Sequence, residues 1–349
     1  MRRIIGFIFY SIFPLLVMAE RLTPYVNPFV GTDGYGNVYP GAQIPFGGIQ
    51  ISPDTDADFY DAASGYKYSH STLMGFSLTH LSGTGIPDLG DFLFVPGTGE
   101  IKSVPGTHDE PEKGYRSHYS HDKEWASPGY YGVELIDYGV KAEMTAASRS
   151  GFFRFTYPKS DQAFILIDMN HTLWQSCPWA NLRQINDSTL VGYKLVKGWG
   201  PERHVYFAAT FSCKLNNFQI LQNGKPVIYD TKRFRSHLEA WGEKLMACVR
   251  FETQANQEIY VKTAISGVST EGALRNLQEL NGFDFDRTRE AADRLWEKEL
   301  SKFQVKGDLK TKQTFYTSAY HAALHPFIFQ DVDGMYRGLD KNIEKAENF

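Results

Sequence analysis

Two long polar segments hold the residues whose types and spacing could do chemistry. The first runs from Asn27 through Gly31-Thr32-Asp33-Gly34-Tyr35-Gly36-Asn37-Val38-Tyr39 to Pro45-Phe46-Gly47. The second runs from Ser64-Gly65-Tyr66 through Thr79-His80-Leu81-Ser82-Gly83-Thr84-Gly85 to Asp88-Leu89-Gly90-Asp91. Glycines let a backbone approach a ligand closely, and aromatic rings offer flat faces to a pyranose. Long loops of Gly, Tyr, Ser, Thr and His therefore suit a polar ligand such as a sugar. They suit the ordinary turn chemistry of a β-sandwich equally well.

Other familiar patterns carry less. Asp54, Asp56 and Asp58 alternate like the opening of an EF-hand, but Phe59 stands at its glycine position and Gly65 at its bidentate-glutamate position. A surface turn is the expected reading. His321 and His325 share a helix face at i,i+4 without the HExxH context of a zinc protease, so packing is expected there. His118 and His121 are equally unspecific. Gly34-Tyr35-Gly36 and Gly83-Thr84-Gly85 both lack a third glycine at the dinucleotide offset, and no Walker A sequence is present. Cys177, Cys213 and Cys248 are odd in number and have no CxxC spacing, which points to buried free thiols rather than a zinc or redox site. The sequons at Asn170 and Asn186 matter only where a host glycosylates.

The chain that must position these loops has 349 residues, enough for one large domain or two ordinary ones. Lys and Arg number 36 against 40 Asp and Glu, a formal charge of −4, which removes the electrostatic footprint of a nucleic-acid binder. Hydrophobic residues at 42% and charged ones at 22% describe a globular protein. Aromatics at 15% suit a β-rich fold, and also a protein that stacks rings on sugars. Arg2-Arg3, the apolar stretch Ile4 to Val17, and Val17-Met18-Ala19 read as a signal peptide over 1–19. No Cys follows to receive a lipid, and no later apolar run is long enough to span a bilayer. Export to a periplasm or to the medium is expected, with no membrane contact after cleavage.

From Thr23 to Val268 the texture is β. Phe152 to Tyr157, Val205 to Phe207 and Tyr260 to Ile265 are short runs of β-branched and aromatic residues, separated by turns such as Asn223-Gly224-Lys225-Pro226. Many short strands at that spacing predict a sandwich or barrel. After Gly267 the period changes. A short helix is expected from Thr270 to Leu280, then an amphipathic one capped by Asp286 with Ala292, Leu295, Trp296, Leu300 and Phe303 on its apolar stripe. A third helix is expected from Asp308 through Phe315, Ala319 and Ala322 to Pro326.

These residues resemble the amino-terminal part of glycoside hydrolase family 92, the calcium-dependent exo-acting α-mannosidases. The shared pattern comprises Asn27-Pro28-Phe29-Val30-Gly31-Thr32, Tyr39-Pro40-Gly41-Ala42, Pro45-Phe46-Gly47, Ser52-Pro53-Asp54-Thr55, Ser64-Gly65-Tyr66 and Thr79-His80-Leu81-Ser82-Gly83-Thr84-Gly85. Ala126-Ser127-Pro128-Gly129-Tyr130-Tyr131, Glu143-Met144-Thr145-Ala146 and Asp331-Val332-Asp333-Gly334 with Tyr336-Arg337-Gly338 follow in family order.

The resemblance implies a mostly β chain: a β-sandwich over 20–268, a helical linker over 269–307, and at 308–349 the opening of an (α/α)6 catalytic barrel left incomplete. It implies inverting hydrolysis of α-linked mannose from glycans. The acid, the base and the ligands of Ca²⁺ come from the later barrel, so neither catalytic residues nor metal ligands are placed in this chain, which alone is expected to be inactive. It implies a sugar-binding wall made of Gly34, Gly36, Asn37, Tyr39, Tyr60, Tyr66, His80, Gly83, Thr84 and Asp88, with Arg337 and Asp340 in the later polar run. Tyr60 stands where the family often has Trp, and Asn37 and Lys67 where His is common, which bears on the linkage preferred more than on sugar binding. Arg337 has two readings: recognition of hydroxyl or carboxylate groups, and an ion pair that fixes the barrel's first turn. The alternative to an enzyme is a sandwich that binds carbohydrate without chemistry of its own.

Overall fold

The computed structural model describes residues 20–57, 62–228 and 238–347. The signal sequence over 1–19 and Tyr60 lie outside them. Two antiparallel sheets dominate. The seven-stranded sheet runs in the order Ser52–Asp54, Gly75–Ser77, Leu93–Thr98, Ser160–Asp168, Leu245–Thr253, Asn217–Gln222, Lys225–Pro226. The nine-stranded sheet runs Glu239–Gly242, Ser176–Asn186, Thr189–Lys197, Arg203–Phe211, Gln257–Ser266, Ser150–Tyr157, Val140–Ala146, Tyr130–Leu135, Glu124–Ser127. The three runs singled out by composition fall inside Ser150–Tyr157, Arg203–Phe211 and Gln257–Ser266. Asn223 and Gly224 both take positive φ, 51° and 72°, as the two-residue turn that joins Asn217–Gln222 to Lys225–Pro226 requires.

The strand Ser150–Tyr157 shows why the sheets stack. Phe153, Phe155 and Tyr157 alternate into the space between the sheets, where they meet Phe94, Ile165, Phe207 and Val261 in one core. Phe152 and Arg154 point outward, yet Phe152 is also buried, because a helix covers that face. Phe285 packs against the Phe152 ring at 5.5 Å, and the Arg154 guanidinium lies 4.4 Å over Phe285.

Three helices follow the sandwich: α1 over Thr270–Asn276, α2 over Phe285–Leu300 and α3 over Leu309–Ala322. The cap of α2 is Asp284, whose carboxylate accepts from Arg287 N at 3.0 Å, and not the expected Asp286. Asp286 sits in the first turn instead and pairs with Arg154 at 3.1 Å. The buried stripe of α2 is Phe285, Ala292, Trp296 and Leu300. Leu295 and Phe303, expected on it, are 43% and 54% exposed. Leu295 is one residue short of Trp296, a rotation of about 100° off the stripe, and Phe303 lies beyond the helix end.

A second core joins α2 and α3 to the start of the chain. Trp296, Leu300, Tyr316, Tyr320 and Leu324 surround Leu22, Val26 and Tyr39. Trp296 stacks 4.5 Å from Tyr320 and donates its indole N–H to Gln43 O at 2.7 Å. Glu297 accepts from Leu22 N at 2.8 Å and Thr23 N at 3.1 Å, which satisfies the amides that open a short 3-10 turn. After α3 the chain forms a two-stranded hairpin, Met335–Arg337 with Ile343–Lys345. Among the described residues no helix is long and apolar enough to cross a membrane.

Trp296→Ala should therefore lower unfolding stability by about 3–5 kcal/mol, the usual cost of emptying a large buried aromatic site. Trp296→Phe should cost less, since it keeps most of the apolar volume and loses the bond to Gln43. Urea denaturation of the two variants measures the difference.

Candidate functional site

Three loops meet on one rim of the sandwich. Gly83 N donates to Asn37 O at 2.7 Å, joining the 31–38 loop to the 80–91 loop. Ser64 Oγ donates to Val38 O at 3.0 Å, and Tyr68 N to Thr32 O at 2.9 Å, which ties the third loop to the first. Ser82 N donates to His325 Nε2 at 3.0 Å, so the rim is also fastened to the residues that follow α3. His325 is thus a specific contact, where packing alone was expected; His321 is half-buried, and its partial burial holds its pKa below the usual value.

The residues facing solvent on this rim are Gly34, Gly36, Gly83 and, half-buried, Asn37, Thr84 and Asp88. Gly34 and Gly83 take φ of 58° and 74°, and a Cβ on either would meet nothing within 4 Å, so both stand open. Gly36 is different: a Cβ there would lie 2.1 Å from Gly31 O. Thr84 Oγ1 is engaged with Ile86 O at 2.6 Å, and Asp88 Oδ1 accepts from Leu89 N at 2.7 Å. At the tip, Tyr35 is 93% exposed. Sequence reasoning passed it over because a lone Tyr between two glycines reads as turn, but its ring stands open to solvent.

Three expected sugar-binding side chains are instead buried behind the loops. Tyr39 is fully buried, its hydroxyl 2.5 Å from Gln43 Oε1 and its ring in the core around Trp296. Tyr66 donates to both oxygens of Glu124, at 2.9 and 3.1 Å. Glu124 also accepts from Tyr131 at 2.5 Å and pairs with His121 at 2.6 Å, while His121 stacks on Tyr68 at 3.8 Å. His80 is fully buried, with Nδ1 2.8 Å from Gln50 O and Nε2 2.8 Å from Asp54 Oδ1. These three groups position the rim from beneath.

Asp54 is the centre of that support. Its second oxygen lies 2.7 Å from His171 Nε2, so one carboxylate holds two imidazoles. Burial alone would raise its pKa, but the two histidines outweigh burial and hold it well below the usual carboxylate range. The surface turn expected at Asp54 is therefore wrong for this residue: it ends a strand and is fully buried. Gly65 takes φ of 85°, and a Cβ there would lie 2.1 Å from Asp54 Oδ1, so only glycine admits the carboxylate. His80 in turn packs against Tyr39 at 5.2 Å. All three loops converge on this one side chain.

A second buried network abuts the first. Asp91 accepts from Thr79 Oγ1 at 2.7 Å, from Lys194 Nζ at 3.0 Å and from Arg203 Nη1 at 2.5 Å. Lys194 also donates to His171 O at 2.6 Å, which links the two carboxylates. Beside Asp91 and Arg203 opens a cavity of about 300 Å³, walled by Thr79, Leu89, Phe327, Asp331, Arg337 and Leu339 among others. Arg337 donates to Gly267 O at 2.9 Å, Lys341 O at 3.0 Å and Val268 O at 3.2 Å. Its guanidinium holds the hairpin to the end of the sandwich through these carbonyls, and among the described residues it forms no ion pair of the kind one reading expected. Asp340 closes on Asn342, at 3.1 Å from its N and 2.7 Å from its Nδ2. The thiols are free: Cys248 is buried, and Cys177 and Cys213 are half-buried.

The family model described as the glycosyl hydrolase family 92 N-terminal domain matches residues 25–266, and the family 92 catalytic domain model matches 272–349. A solved family GH92 alpha-mannosidase from Bacteroides thetaiotaomicron is 75% identical, with a TM-score of 0.92 over 95% of this chain and 44% of that one. The same mannosidase has been solved in complex with mannoimidazole. Another GH92 family glycosyl hydrolase matches at 25% identity and a TM-score of 0.82, over 94% of this chain and 44% of the other. An "Uncharacterized secreted glycosidase" of Arthroderma benhamiae is 25% identical over 337 residues, 89% of this chain and 42% of that protein. The chain thus spans under half the length of these relatives.

Two substitutions probe the buried support. Gly65→Ala should destabilise the protein by more than about 1 kcal/mol, since it combines a positive φ with a clash against Asp54. Asp91→Asn should cost about 3–5 kcal/mol, because it leaves buried Lys194 without its counter-charge. The folded Asp91 carboxyl lies well below its usual pKa, because Arg203 and Lys194 outweigh the burial that would raise it. Its stabilisation is therefore present above the ordinary Asp value of about 3.9 and is lost as pH falls through the depressed folded one. Urea midpoints measured down the acid range should fall steeply for the parent and less steeply for Asp91→Asn.

Proposed function

The chain belongs to glycosyl hydrolase family 92, and from that premise we propose that it builds the sugar-facing wall of an exported exo-acting α-mannosidase. The observation that carries the reading is the 75% identity and 0.92 TM-score to an alpha-mannosidase over 95% of this chain. The secreted relative supports export, and the complex of the same mannosidase with mannoimidazole supports a mannose-containing glycan as substrate.

In this reading Gly34, Gly36, Asn37, Gly83, Thr84 and Asp88 meet the sugar at the rim, with Tyr60 and Tyr35 as its aromatic surfaces. Tyr39, Tyr66 and His80 act through the loops they hold. Arg337 and Asp340 fix the hairpin beside the cavity. The bond is broken with inversion: a carboxylic acid protonates the departing oxygen while a carboxylate activates water on the opposite face, the pair about 6.5–9.5 Å apart. Both carboxyl groups belong to the catalytic domain outside this chain. Calcium, which the family resemblance implies, takes six to eight oxygen ligands. Among the described residues the cluster of metal-ligating groups is Asp56, His70 and His108, with two nitrogens in three donors, and it does not fit that ion. No step is assigned to calcium in this chain.

A polypeptide carrying the complete catalytic domain, given α-linked mannobioses, should release β-mannose first, as followed by NMR of the anomeric proton. Initial α-mannose would overturn inversion, and no mannose from any linkage would overturn the mannosidase reading. The 349-residue chain alone should release none.

A further inference from the structure

The cluster of Asp56, His70 and His108 brings three separate stretches of the chain together. Its three ligand atoms lie within 4.8 Å of one another. His108 Nε2 is 3.0 Å from Asp56 Oδ2, and the two imidazole rings are 4.2 Å apart at 52°. Each ring is held from behind by a threonine hydroxyl: Thr55 Oγ1 at 3.0 Å from His70 Nδ1, and Thr72 Oγ1 at 2.9 Å from His108 Nδ1. Oxygens placed in this way fix the rotation and tautomer of metal-bound imidazoles. His108 and Asp56 keep 32% and 19% side-chain exposure, so an ion and a completing water can reach them.

We propose that Asp56, His70 and His108 form a binding site for a divalent transition ion of the Zn²⁺ class, joining the segments around positions 56, 70 and 108. Two nitrogens and one carboxylate oxygen are donors that Zn²⁺ accepts and that Ca²⁺ does not favour. In a tetrahedral zinc site, bonds of about 2.0–2.2 Å place neighbouring ligand atoms roughly 3.3 Å apart. The Asp56–His108 separation of 3.0 Å is close to that edge, and His70 lies within 4.8 Å of both. Without metal, His108 donates its Nε2 proton to Asp56 and takes a bond from Thr72 at Nδ1. On binding, the metal takes the place of that proton, and His108 changes tautomer so that Nδ1–H donates to Thr72. The ring carries one proton before and after, so binding releases none from it. Arg116 opposes the ion: its Nη1 lies 3.5 Å from both His108 nitrogens, 3.3 Å from Thr72 Oγ1 and 2.5 Å from Thr55 O. The Asp56 charge offsets it.

What the ion would hold together is specific. Thr55 N and Asp56 N both donate to Gly65 O, at 2.6 and 3.2 Å, and Lys67 N donates to Thr55 Oγ1 at 2.9 Å. His70 follows Lys67 in the second of these segments, and His108 comes from a third. One ion would therefore tie all three together.

The full chain, stripped with chelator and dialysed, should be titrated with ZnCl₂ by calorimetry in buffers of different ionisation enthalpy. One equivalent should bind with the same apparent enthalpy in every buffer, since no net proton leaves, and CaCl₂ under the same conditions should give no site. Asp56→Asn and His108→Ala should each weaken zinc by at least tenfold, and Thr72→Val by about tenfold to a hundredfold. His204→Ala, which removes an imidazole from the Arg203–Phe211 strand of the nine-stranded sheet, should leave the affinity unchanged. CoCl₂ in the parent chain gives a second readout should a variant fail to fold: intense visible bands of a low-coordinate N,N,O site support the proposal, and the weak spectrum of a hydrated ion overturns it. Failure to saturate at one equivalent, equal affinity for Ca²⁺, or zinc binding unaltered by His108→Ala would each overturn it too.

Discussion

The rim of this domain depends on a carboxylate that never meets solvent. Asp54 holds His80 and His171 at 2.8 and 2.7 Å, and each of the three loops reaches it by a different route. The first loop leans on it through Tyr39 and His80, the second through Gly65, whose missing Cβ makes room for the carboxylate, and the third through His80 itself. A buried charge in a low-dielectric interior is costly unless it is paired and hydrogen-bonded. That cost allows few alternatives: the loops sit where Asp54 is satisfied. Through Lys194, which bonds both His171 O and Asp91, the same constraint extends into the wall of the neighbouring cavity.

This arrangement explains which parts of the site were legible in the sequence. The β character of the first 268 residues was readable, because alternation in Ser150–Tyr157 and the Asn223-Gly224 turn are local properties. The glycine-rich loops were readable as unusual, because open glycines at 34 and 83 leave a composition signal. Their internal roles were not. A Tyr that stacks on a sugar and a Tyr that packs on Trp296 have the same neighbours in sequence, and what separates Tyr39 from Tyr35 lies more than 250 residues along the chain. Asp54 was misread for the same reason. Asp54, Asp56 and Asp58 alternate like a calcium loop or a surface turn, whereas the partners that bury Asp54 come from positions 80 and 171.

The helices show the converse case, in which a pattern was right and its edges were not. The apolar stripe of α2 predicted a buried face, and Trp296 fills it. Two acids compete for the cap, and Asp284 wins because Phe285 must start the helix to reach Phe152, which leaves Asp286 turned toward Arg154. An outward-facing Phe on a strand is thus both the floor under α2 and the reason its start is shifted. The sandwich and the helices are consequently one packed body: its second core contains residues from the first twenty of the described chain, Leu22 to Tyr39, and from Trp296 to Leu324.

The rim's own acids bear on how labour is divided in the enzyme. Asp33 accepts from Gly34 N at 2.8 Å and from Ser69 Oγ at 3.1 Å, and Asp88 from Leu89 N at 2.7 Å. Those bonds hold the turns of the loops that carry Gly34 and the Gly83 segment. A general acid must instead keep a proton near neutral pH, which calls for an apolar setting or a neighbouring negative charge. Asp54 and Asp91 are driven in the opposite direction, by the histidines around one and by Arg203 and Lys194 around the other. In the role proposed above, such a wall would hold a sugar through loops whose Asp33, Asp54, Asp88 and Asp91 are committed to shape.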